Sequence, residues 1–234
     1  MSMNTLKVAG STLANLWVDG ALSYNRPQKN VSTVSIPGRS GDLVIDYGTW
    51  KNVTITYPCY MRGSFATNFA TLVNTLGAMK GYQKIECSND STHFRLGVPV
   101  VPQAPTVKRI GEDGYFDLSF NCKPQRFLNS GETETTYTSA SNTVTNPTQF
   151  DAKPLIRITG TGSCTINGVT ITVTGSYSYV DIDCESMECY YGTSSANSLV
   201  SFSSNDFPVL SPGNNALTKG TVTSIKIKPR YWEL

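Results

Sequence analysis

The side chains able to do chemistry are few, and their spacing argues against an active site. His93 is the only histidine. Cys87 is near it in sequence, but a general base needs a positioned nucleophile and an orienting partner, which nearness in sequence does not supply. The stretch Asn89-Asp90-Ser91-Thr92-His93 reads as an exposed turn. Asp181, Asp183 and Glu185 fall at alternate positions, with Glu188 following. Paired carboxylates can cleave glycosides or hold calcium through oxygen ligands. Their alternation with Val180, Ile182 and Cys184 is that of a solvated outer strand face. The six cysteines (Cys59, Cys87, Cys122, Cys164, Cys184, Cys189) contain no C-x-x-C pair, so the usual zinc patterns are absent and buried thiols are expected. Gly160-Thr161-Gly162 leads into another strand, where a phosphate-binding loop needs a helix N-terminus. No enzyme, cofactor or metal site is expected.

The elements that would position any site are mostly strands. Leu16-Trp17-Val18, Val31–Ile36 and Leu43-Val44-Ile45 read as extended, and Asn52–Tyr57 alternates apolar and polar with period two. One helix, about 64–77, is expected from Phe65, Phe69, Leu72, Val73 and Leu76 on one face, with Ser64 as N-cap and Gly77 or Gly81 as the stop. Further strands follow at Gln83–Cys87, Phe94–Val98 and Tyr115–Cys122. Residues 131–150 are rich in Ser, Thr and Asn and read as a linker or exposed hairpin. Beyond them the pattern is all β, with Asn167-Gly168 marking a hairpin between Cys164-Thr165-Ile166 and Val169–Val173. The expected organisation is a domain over 1–130, the linker, and a β-sandwich over 151–234.

Composition agrees. The 234 residues are only 15% charged, below the ~25% usual in soluble proteins, which argues against disorder and against an all-helical chain. A net charge of +2 gives no basis for nucleic-acid binding by bulk electrostatics. The charge is uneven: residues 1–130 hold 13 basic and 8 acidic side chains, residues 131–234 hold 6 and 9. The start of the chain lacks the basic and apolar regions of a secretory signal, and no apolar run is long enough for membrane insertion. Synthesis in a reducing cytoplasm is expected.

Four segments, in this order, resemble the distal tail protein (Dit) family of long, non-contractile-tailed bacteriophages. They are Ser35-Ile36-Pro37-Gly38-Arg39-Ser40-Gly41-Asp42-Leu43; the helix followed by Gly81–Glu86; the strand Phe116–Phe127, with Phe120, Cys122 and Pro124; and Asp206–Asn215, with Phe207, Pro208, Gly213 and Asn215, before a terminal Pro229-Arg230-Tyr231-Trp232. The resemblance implies a mainly β chain: an N-terminal β-sandwich with one helix and a projecting hairpin, then a C-terminal galectin-like β-sandwich. It also implies a homo-hexamer in the virion, at the phage tail tip. That ring would join the tail tube protein to the tail-associated hub or fibre protein and anchor receptor-binding proteins.

Under that reading Pro37, Gly38 and Gly41 shape a hairpin tip, because proline presets a turn and glycine adopts positive φ. Arg39 bridges a neighbouring subunit or the lumen, or stands as a solvated turn residue. Phe207 and Pro208 anchor a loop to the second core. The alternative is a carbohydrate-binding β-sandwich contacting host cell-surface glycans, with Trp17, Trp50, Trp232, Tyr190 and Tyr191 as a stacking platform or as ordinary core and interface aromatics. A glycosidase would need Asp183 or Glu185 in a cleft with a second carboxylate.

Overall fold

A computed structural model describes residues 3–19, 24–101, 108–110 and 112–234. The chain divides into two compact units, residues 1–126 with Leu234, and residues 127–233.

The first unit contains β1 (Leu6–Val8), β2 (Ser11–Thr12), β3 (Leu16–Val18), β4 (Lys29–Val34), β5 (Leu43–Trp50), β6 (Val53–Met61), α1 (Phe65–Ala78), β7 (Gln83–Cys87), β8 (His93–Val100), β9 (Lys108–Ile110) and most of β10 (Asp113–Leu128). Its main sheet runs β2-β1-β7-β8-β10-β6-β3, with β9 added on β10. The sheet curls on itself: Asn4, just ahead of β1, bridges Val18 in the last strand, and each backbone N–H of the pair donates to the other's carbonyl. Period-two patterning explains the core. Val53, Ile55, Tyr57, Cys59 and Met61 of β6 are buried, and in the antiparallel register Phe116, Leu118, Phe120 and Cys122 of β10 lie opposite Cys59, Tyr57, Ile55 and Val53.

Helix α1 covers this core with Phe65, Leu72 and Leu76 buried and Phe69 packed against them. Phe65 stacks on Phe69 at 5.3 Å, and the Phe69 ring meets Phe116 edge-on at 5.0 Å. The helix start differs from expectation. Ser64 adopts a left-handed conformation and makes no side-chain cap; the Phe65 N–H donates to the Glu112 carbonyl instead, so a neighbouring strand end satisfies the orphan donor. Gly77 lies inside the helix, which ends at Ala78.

The second unit packs two sheets over one core, β11 (Thr135–Tyr137)-β21 (Ser224–Lys228)-β13 (Leu155–Thr159)-β16 (Tyr179–Asp183)-β17 (Glu188–Tyr191)-β18 (Ser194–Ser195) and β12 (Ser141–Asn146)-β20 (Gly213–Thr218)-β14 (Gly162–Ile166)-β15 (Val169–Val173)-β19 (Val200–Phe202). The sandwich is built from inward Ile156, Ile158, Ile166, Ile171, Ile182, Ile225 and Ile227. Residues 131–150 do not form the expected linker or free hairpin. β11 pairs with β21 and β12 with β20, so the segment contributes a strand to each sheet. Its lack of large aliphatics follows from its edge positions, where Val144 is its one fully inward aliphatic.

Candidate assembly surface

β4 and β5 form a two-stranded ribbon that joins no larger sheet among the described residues. The register sets Thr33 opposite Val44 and Val34 opposite Leu43, with a bulge between Lys29 and Val31. At the base, Lys29 Nζ lies 3.2 Å from Asp46, and Asp46 also accepts the Gly48 N–H. Those contacts, the Gly48 hydrogen bond first, hold the Asp46 carboxyl below its ordinary range. Along its length the ribbon exposes Val31, Val34, Ile36, Leu43, Val44, Ile45 and Tyr47, with Val44 61% and Tyr47 57% accessible. A two-stranded ribbon has no interior of its own and is marginal alone in water. Apolar residues on both faces, with no further strand paired to either edge among the described residues, are features found at interaction surfaces.

The tip follows from Pro37 and Gly38. The Arg39 N–H donates to the Ile36 carbonyl at 3.1 Å, and Gly38 sits at φ 82°. Proline followed by a positive-φ glycine is the signature of a type II turn. Gly41 repeats the positive φ at 85°, and Arg39 is exposed there with no ion pair among the described residues. The structure thus brings Pro37, Gly38, Arg39 and Gly41 together at one tip.

The other expected positions lie elsewhere. Phe120 and Cys122 face the first core, with Phe120 edge-on to Tyr57 at 5.9 Å, and Pro124 is buried farther along β10. Phe207 packs on Phe202 with ring centroids 4.4 Å apart, and Pro208 beside it is buried. Gly213 opens β20. Asn215 is a buried hub: its amide donates to the carbonyls of Val144, Ser211 and Gly213, and its oxygen accepts the Ser211 N–H.

The carboxylates of β16 do not form a solvated face. Asp181 is 5% exposed and bound by Arg157 from the paired strand, at 2.7 and 2.8 Å. Asp183 is held by both terminal nitrogens of Arg230, at 2.7 and 3.0 Å. Burial pushes the Asp183 carboxyl up, but the hydrogen bonds and charge of Arg230 outweigh it and hold the group below its ordinary value. Two carboxylates each committed to an arginine offer no acid–base pair. Among the described residues no cluster of three or more His, Cys, Asp or Glu is placed to hold a metal ion, and no helix is long and apolar enough to cross a membrane.

His93 is not an exposed turn residue. Its side chain is mostly buried, with Nδ1 2.9 Å from Asp90 and 3.0 Å from Arg126. Burial raises the Asp90 carboxyl, yet the hydrogen bonds from His93 and Arg126 leave it below its ordinary range. Cys87 lines the same small cavity, with its thiol pushed up by burial, so it is a protonated thiol and a poor nucleophile.

The aromatics do not converge on a platform. Trp17 packs near Tyr60, Trp50 sits at the ribbon base, and Trp232 stacks on Phe150 while donating to the Asp151 carbonyl. Tyr191 stacks on Tyr177 at 4.5 Å and leans on Tyr179, so ring faces that would meet a sugar already meet each other.

No protein-family model matches the sequence, and no curated protein matches it. Solved structures do share its fold. The SPP1 Dit (gp 19.1) protein, described as a paradigm of the hub adsorption apparatus in phages that infect Gram-positive bacteria, superposes with a TM-score of 0.63 at 16% identity, over 97% of this chain and 98% of that one. A chain of the phage P2 baseplate in its activated conformation with Ca aligns over 96% of this chain and 97% of that one, at a TM-score of 0.49 and 9% identity.

Proposed function

We propose that this chain is a structural protein of a phage tail tip, a distal tail protein that assembles as a homo-hexameric ring through the β4–β5 ribbon. The observation that carries the reading is that ribbon: a long apolar arm, unsupported by its own unit, on a chain whose fold matches SPP1 Dit from end to end. A closed ring uses unlike surfaces of each protomer, so an arm reaching onto the next subunit repeats around the ring without leaving a free end. Arg39 at the tip supplies a cation for that neighbour or the lumen. The ring joins the tail tube to the tail-associated hub or fibre, and the second sandwich serves as a docking face for receptor-binding proteins. No catalytic step is part of this role.

Light scattering on the purified protein tests the reading. Six copies of a 25.4 kDa chain weigh about 152 kDa, and negative-stain images should show rings. A monomer across the micromolar range, with no rings, overturns it. With rings in hand, Arg39→Ala should lower the hexamer fraction if the tip bridges subunits; unchanged hexamers and intact tail assembly would leave Arg39 a solvated turn residue.

A further inference from the structure

The first core contains a cation that no described residue neutralises. Arg95 of β8 is 5% exposed, and its Nη1 is buried without a hydrogen-bond partner. The guanidinium lies over the Tyr24 ring, 5.7 Å from its centroid, a contact that attracts charge to the ring face but gives Nη1 no acceptor. Desolvation disfavours the charged form of Arg95, but arginine does not lose its proton in proteins. A buried, unpaired guanidinium is costly unless something anionic joins it.

No described side chain provides that anion. Asp90 is engaged by Arg126, at 3.1 Å from Nε and 2.8 Å from Nη2, and lies 2.9 Å from His93 Nδ1. Cys122, which adds to the field at Arg95, has its thiol pushed up to about 11 by burial. Tyr57 is likewise raised by burial, well above the phenol's ordinary value. Both are neutral at pH 7. The residues outside the described part of the chain include no Asp or Glu.

Beside these groups lies a cavity of about 10 Å³, lined by Arg95, Arg126, His93, Asp90, Tyr24 and Tyr57 among others. That is room for about one small occupant. We propose that the cavity binds one monatomic anion of halide size, chloride being the common case, with Arg95 as its principal ligand. A tetrahedral oxyanion is too large for the space. A water molecule also fits the space, but leaves the Arg95 charge uncompensated.

The site does not depend on the tail-tip reading. It is tested on the full chain by thermal melts at constant ionic strength, with sodium chloride or bromide exchanged for sodium gluconate, whose anion the cavity cannot admit. A ligand bound only by the folded state raises Tm, by about 3–6 °C at ten times its Kd. Halide-dependent stabilisation that vanishes in Arg95→Met supports the site; coincident melts in halide and gluconate overturn it. If Arg95→Met does not fold, crystals of the unaltered protein soaked in bromide decide. Anomalous signal within hydrogen-bond reach of Arg95 Nη1 supports the site, and a water there with no such signal refutes it.

Discussion

Asp183 shows how much a single carboxylate depends on a partner far away in sequence. Its folded-state value lies below the ordinary 3.8 because Arg230 outweighs the effect of burial. For such a group the linked stability is fully present above the unfolded-state value and is lost as pH falls through the lowered folded-state value. Asp183→Asn should therefore cost about 1–2 kcal/mol near neutral pH, since it removes the charge and leaves Arg230 with a weaker acceptor. Urea midpoints at pH 7 and in the acid limb below 3.8 check this. The gap between variant and unaltered protein should shrink toward the acid side, and a gap of constant size would place the effect elsewhere. The alternation of Asp181 and Asp183 with Val180 and Ile182 is visible in the sequence, and the structure keeps it. That Arg157 and Arg230 come to cover those carboxylates is not visible, because strand order sets cross-strand neighbours. The Asp90–His93–Arg126 cluster is illegible for the same reason, since Arg126 lies on a strand that holds neither of the other two.

Elements with a strong local signal appear where the residues put them. The Asn167-Gly168 turn is the clearest: both residues have positive φ, 46° and 83°, and Ile166 pairs directly with Val169. This is the type I′ geometry that matches strand twist. Gly168→Ala forces a Cβ into left-handed backbone with open space around it, so the cost is conformational alone, about 1–2 kcal/mol. A lowered melting transition with an unchanged β-type circular dichroism spectrum is the expected result; an unaltered Tm would mean the turn relaxes. The helix is legible by its apolar face, whereas its start is not, since Phe65 takes its acceptor from residue 112, in the turn just ahead of β10. Residues 131–150 misled for a related reason. A polar edge strand and a linker share a composition, and only the partner strands β20 and β21 distinguish them.

At the scale of the molecule, the division between Arg126 and Phe127 leaves the charge split intact, because residues 127–130 carry no charged side chain. The first unit keeps its 13 basic and 8 acidic residues, and it also carries the exposed ribbon. The ribbon's exposed apolar positions are those its own unit does not need. Val44 and Tyr47 contact no core, so replacing both with Asp should shift the protomer's own stability by no more than about 0.5 kcal/mol each. In the ring the same two carboxylates would be buried against a neighbour without partners, which costs several kcal/mol per site and is repeated at every interface. Val44→Asp/Tyr47→Asp should therefore sediment as single chains at concentrations where the unaltered protein forms rings, with its circular dichroism spectrum unchanged. Rings that persist in the double variant would show that the ribbon is not the inter-subunit contact. Loss of the folded spectrum would show instead that the ribbon packs within its own unit. Either result removes the arm from the assembly.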